Sequence, residues 1–176
     1  QYIEVPNAGL CLLIIWLPRL FNMLSLLTED GSDLKDAEAR VKAIFILQRL
    51  VTDEPQEYKE QELAFNRILT GCPFQVPLPK TLKLADYEIM TIESMIIGIK
   101  NNCEKFKNIS AKGFQLNFIE RPGRLEQRED KWVLYVEGRS YDMLLDFLPW
   151  SYRLVQLPWL EKRINVVWRD KGEFDF

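Results

Sequence analysis

Apolar residues run almost unbroken from 7 to 27, NAGLCLLIIWLPRLFNMLSLL, before the chain settles into spaced patterns. Pro18 divides this run. It suits the first turn of a helix and pushes Leu17 away from helical geometry, so the pattern predicts two buried helical pieces, 8 to 16 and 18 to 27. Arg19 lies mid-run, where a bilayer centre would cost it about 2.5–3.5 kcal/mol, which favours burial in protein over a membrane span. Insertion of residues 8 to 27 into a membrane stands as an alternative. Asp30-Gly31-Ser32-Asp33 reads as a turn with a helix cap at Ser32 or Asp33. The helix after it, 34 to 51, sets Leu34, Ala37, Val41, Ile44, Phe45 and Gln48 on one stripe. Further helices are predicted over 56 to 70, ended by Gly71, over 86 to 103, with Ile89, Ile92, Ile96 and Ile99 at helical spacing, and over 110 to 120, with Phe114 and Phe118. Between them Pro73, Pro77 and Pro79 exclude helix, and residues 71 to 84 read as a rigid extended connection.

From Gly123 onward the period changes. Glu126 to Lys131 reads as a polar turn, and Trp132, Leu134 and Val136 then alternate as in a strand. Residues 140 to 148 read as a short helix, and 151 to 157 and 163 to 168 as strands joined in a hairpin. The expected fold is α+β, mainly α. A helical block of about five helices, residues 1 to 121, precedes a small β-α-β-β element, residues 122 to 176, packed on it as one structural domain. The chain starts at Gln1, which fits a piece of a longer protein.

Composition narrows the chemistry. The 176 residues are 47% hydrophobic and 12% aromatic, enough for a substantial core, and the net charge of −3 gives no concentrated basic face for nucleic acid. No histidine is present, which removes histidine bases, triads and metal ligands together. Cys11, Cys72 and Cys103 are too far apart in sequence for a CxxC pair, and no glycine-rich phosphate loop occurs. Asp142 and Asp146, one helical turn apart, are the one carboxylate pair that could work as acid and base, giving a hydrolase as a further alternative.

The tryptophans remain. Leu148-Pro149-Trp150 recurs as Leu157-Pro158-Trp159, and Pro149 and Pro158 read as terminators bracketing one strand. Trp150, Trp159 and Trp168, with Tyr152, combine large apolar faces with a polar atom, a chemistry equally suited to a core or to a partner interface.

Many short motifs in one order resemble the tape measure protein family of extracellular contractile injection systems, the phage-tail-like particles related to antifeeding prophages and virulence cassettes. They are Asn7-Ala8-Gly9-Leu10, Leu17-Pro18-Arg19-Leu20-Phe21, Leu47-Gln48-Arg49-Leu50, Glu62-Leu63 with Leu69 and Gly71, and Phe118-Ile119-Glu120-Arg121-Pro122-Gly123-Arg124-Leu125. Tyr141-Asp142-Met143-Leu144-Leu145-Asp146, the two Leu-Pro-Trp tripeptides and Val166-Val167-Trp168 complete the set. The chain departs from the pattern at Ile14-Ile15-Trp16, where a further proline would precede Leu17, and at Val167, where an acidic residue would stand. The resemblance implies a structural protein with no catalytic residues and no cofactor. It would be made in the bacterial cytoplasm and assembled into a particle that is released. There it would set inner-tube length, with this C-terminal region docked near the baseplate hub and spike. Its partners would be tube, hub, spike or baseplate subunits, or further copies of itself. Pro18, Gly9, Gly123, Pro149 and Pro158 are its expected structural positions.

Overall fold

The computed structural model describes residues 2–54 and 56–169. Helices and one sheet share a continuous core, to which the first apolar run contributes most. Residues Ala8 to Ile14 are all buried in a 3-10 helix, Ala8–Trp16, that hands over to α1 (Leu17–Met23) with Pro18 in its first turn. A helix apolar on every side has to be enclosed by protein. α1 stops at Met23, four residues earlier than expected, because Ser25 takes φ 59° and Leu27 forms a bridge with Leu34. That bridge also moves the start of α2 (Ala37–Val51). Its cap is Asp36, whose carboxylate accepts from the Ala39 amide at 2.7 Å, and not Ser32 or Asp33.

The segment read as a helix over 56 to 70 is helical only from Glu60, as a 3-10 turn leading into α3 (Ala64–Thr70). Gly71 ends it at φ 69°, the left-handed conformation in which a side chain would be strained. α4 (Asp86–Asn101) buries Ile92, Ile96 and Ile99. α5 (Ala111–Phe114), capped by Ser110, widens into a π-helical turn over Gln115–Ile119.

The sheet has five strands in the order β1 (Tyr2–Val5), β2 (Gly123–Gln127), β3 (Lys131–Val136), β5 (Arg163–Val167) and β4 (Leu154–Val155). β3 and β5 pair in parallel and the other neighbours antiparallel. The expected strand, short helix and hairpin are present as β3, a 3-10 turn at Asp142–Phe147, β4 and β5. Two strands were not expected. β1 lies in the block read as helical and joins the sheet edge, and β2 occupies part of the stretch read as a polar turn. The expected strand over 151 to 157 is only two residues long. Leu125, Leu134, Ile164 and Val166 face the helices, so that one buried core runs from Val5 to Trp168. Among the described residues, no helix is long and apolar enough to cross a membrane, and most apolar side chains of residues 8 to 27 lie in this core, Ile15 and Met23 excepted.

Candidate functional site

Three junctions hold the sheet to the helices, and the residues singled out above meet in them. The first centres on Arg121, just after the π-helical turn. Its guanidinium donates to Asp142 twice, at 2.7 and 2.8 Å, to the Glu137 carbonyl at 2.9 Å and to the Asn117 carbonyl at 2.6 Å. Arg121 and Asp142 are each 1% exposed. The Trp168 indole N–H donates to the same carboxylate at 3.0 Å, the Arg139 amide at 2.8 Å, and the guanidinium lies 5.1 Å from the centre of a Trp168 ring. A buried charge is tolerable only when it is paired and hydrogen-bonded, and here both terminal nitrogens of Arg121 donate twice while the Asp142 oxygens accept four bonds. Burial pushes the Asp142 carboxyl up, but hydrogen bonds from Arg121, Trp168 and the Arg139 backbone outweigh it and hold the group below its ordinary range.

The second junction comes from the repeated tripeptide. Leu148 is extended, ψ 132°, as the residue before a proline should be. Each proline then delivers a tryptophan whose N–H closes onto a helical carbonyl. Trp150 donates to Leu12 at 3.0 Å and packs edge-on against Trp16, while Trp159 donates to Leu69 at 2.9 Å and packs on Phe21. Leu69 lies in the last turn of α3, whose carbonyls have no partner within the helix. Arg40 satisfies a second one, at Thr70, with a 2.7 Å bond. The tripeptides are therefore clamps that pin two helical walls to the loops around β4; they do not bracket the strand itself, since β4 covers only Leu154–Val155, five residues after Pro149 and three before Pro158.

The third junction is built from Asn7-Ala8-Gly9. The Asn7 side chain donates to Asn66 at 2.7 Å and to Gln48 at 3.3 Å, and Asn66 donates to the Ile44 carbonyl, so three buried amides link the start of the Ala8–Trp16 helix to α2 and α3. The Ala8 amide donates to the Arg121 carbonyl at 2.8 Å. A Cβ at Gly123 would stand 2.6 Å from the Ala8 Cβ, which explains glycine there.

These placements decide what the candidate residues can do. Trp168 and Tyr152 are 2% and 8% exposed, and the Tyr152 hydroxyl donates to the Trp168 carbonyl at 3.2 Å, so both contact their own chain and offer a partner almost no surface. Trp150 and Trp159 are half-buried. Asp142 does not form an acid–base pair with Asp146. Its oxygens are occupied by four donors, and Asp146 is paired with Arg169 at 2.6 Å. An open groove of about 880 Å³ crosses this end of the sheet, between Tyr2, Arg124, Tyr135 and Arg139, and the saturated Asp142 carboxylate lies in its lining. Among the described residues, no group of three Cys, Asp or Glu side chains is placed to hold a metal ion. Burial also pushes the Cys11 and Cys72 thiols up, away from the reactive thiolate form.

The family model of contractile injection system tape measure proteins matches residues 1–168. The chain belongs to that family. No curated protein and no solved structure matches it. Tape measure proteins are structural components of an injection particle, and this one accordingly works in contact with other proteins of its system. Several of the stretches that carried the resemblance form the three junctions: Asn7 to Gly9, Gln48, Phe118 to Gly123, Asp142, both Leu-Pro-Trp tripeptides and Trp168. Asn66 was not picked out from the sequence, Arg121 entered only as part of a motif, and Gln48 only as a position on the stripe of the helix over 34 to 51 and within a motif.

Proposed function

We propose that this domain is the folded anchor of its tape measure protein. It docks near the baseplate hub and spike while the rest of the protein spans the inner tube, and it acts by assembly rather than by catalysis. The family match over nearly the whole chain carries this reading. The three junctions support it: they commit Arg121, Asp142, Asn7, Asn66, Gln48 and three tryptophans to cohesion, as a part under load requires. For docking, α4 offers an outward stripe of Tyr87, Met90 and Ile97, all exposed, beside the half-exposed Trp150 and Trp159 elsewhere on the surface. Particles formed in this way would be assembled in the bacterial cytoplasm and then released.

Electron microscopy of particles from cells whose tape measure protein lacks residues 2–169 tests the reading. Tubes detached from baseplates, or no particles, are expected. Baseplate-bearing particles of normal length would refute the anchor.

A further inference from the structure

We propose that β1 is a peelable strap and that Asn7-Ala8-Gly9 is its built-in stop, so that tension along the chain opens the domain in two separate steps. Strand directions set the geometry. β1, β3 and β5 all run the same way, since β1 and β3 are each antiparallel to β2 and β5 is parallel to β3. Tension between the two ends enters at Tyr2 and leaves after Val167. Those points are separated by three strand spacings across the sheet, about 14 Å, but by only two residue rows along it, about 7 Å. The load therefore acts mainly across the ladder, which opens the β1–β2 pairing one bond at a time from Tyr2↔Glu126 toward Val5↔Gly123 instead of shearing all of it at once.

β1 is suited to leave. It is the sheet edge, four residues long, with Tyr2 and Glu4 exposed and only Val5 buried. The chain after it is not. Asn7 is fully buried and holds Asn66 and Gln48, the Ala8 amide is bonded to Arg121, and Gly9 lies against the Phe118 backbone. Moving Asn7 would break all of these together, so peeling halts there. Among the described residues the other end has no equivalent strap, because β5 is flanked on both sides and Trp168 is tied to Asp142. This holds whichever subunit the domain docks on.

Optical-tweezers pulling on the full chain, with handles at both ends, tests it. A first extension of about 15–20 Å is expected at low force, the length of residues 2 to 6 released, followed by cooperative unfolding at a higher force. The variant Glu4→Cys/Arg124→Cys places a disulfide across the facing pair; oxidised, it should lose the first step and unfold in one shortened step, since the chain between the two cysteines is shielded from load, and reduction should restore both steps at full length. One-step unfolding of the wild type, or a first step that survives the disulfide, would overturn the proposal.

Discussion

Gly9 lies so close to Phe118 that a Cβ added to it would stand 1.8 Å from the Phe118 carbonyl oxygen and 2.6 Å from the Ile119 Cα. The obstruction is backbone within a π-helical turn, which cannot rotate aside as a side chain could. This contact lets the central 3-10 helix lie directly on the helix that leads into Arg121.

Gly9→Ala is therefore expected to destabilise the domain by at least about 1–3 kcal/mol, the usual range for overpacking a core. Gly98 is the opposite case. It lies inside α4 with nothing within 4 Å of an added Cβ, so Gly98→Ala should stabilise by about 0.5–1 kcal/mol. Urea denaturation of the two variants should move the midpoint in opposite directions.

The Arg121–Asp142 pair should show strong coupling. Arg121→Met strands a buried carboxylate and should cost about 3–5 kcal/mol, whereas Arg121→Met/Asp142→Leu removes both charges and should recover much of the loss. A double-mutant cycle by chemical denaturation reads the coupling directly. Additive losses would mean that the two groups stabilise the fold independently.

Among the carboxyls that acid titrates, two buried or half-buried ones, Asp142 and Glu120, act with opposite signs. Asp142 titrates below its ordinary 3.8 in the folded state, so its contribution is fully present above that value and is lost as pH falls through the folded one. Glu120 is pushed above its ordinary 4.5, first by burial and then by the Asp53 and Glu54 charges, so it weakens the fold at neutral pH and ceases to do so as it protonates. Glu120→Gln should raise stability at pH 7 and flatten the slope above 4.5, while the loss below 3.8 persists. Thermal unfolding across a pH series checks both.

The clamps can be tested without removing their rings. Trp159→Phe and Trp150→Phe keep an aromatic face but lose the donor to Leu69 and Leu12, leaving a carbonyl unsatisfied at a cost of about 1–3 kcal/mol each. Denaturation midpoints unchanged in both variants would show that the indoles contribute surface and not cohesion.

Much of the fold was legible where local pattern and tertiary demand agree. Ile92, Ile96 and Ile99 marked the buried face of α4, and the alternation at Trp132 to Val136 marked β3. β1 and β2 were not legible, since YIEV is too short to show a period and GRLEQ has one apolar residue, so both are strands only because they pair with each other and with β3. Asp142 and Asp146 were legible as a pair by spacing, yet their partners Arg121 and Arg169 lie 21 and 23 residues away, a separation that periodicity cannot reveal. The tripeptides announced themselves by repetition, but that their indoles reach Leu12 and Leu69 depends on how the whole chain closes.

The anchor reading is tested most directly at Met90, which is 67% exposed at the centre of the α4 stripe. A photo-crosslinking amino acid at that position, activated in assembled particles, should yield a covalent adduct with a hub or spike subunit. Adducts with sheath or tube subunits alone, or no adduct from intact particles, would contradict the account.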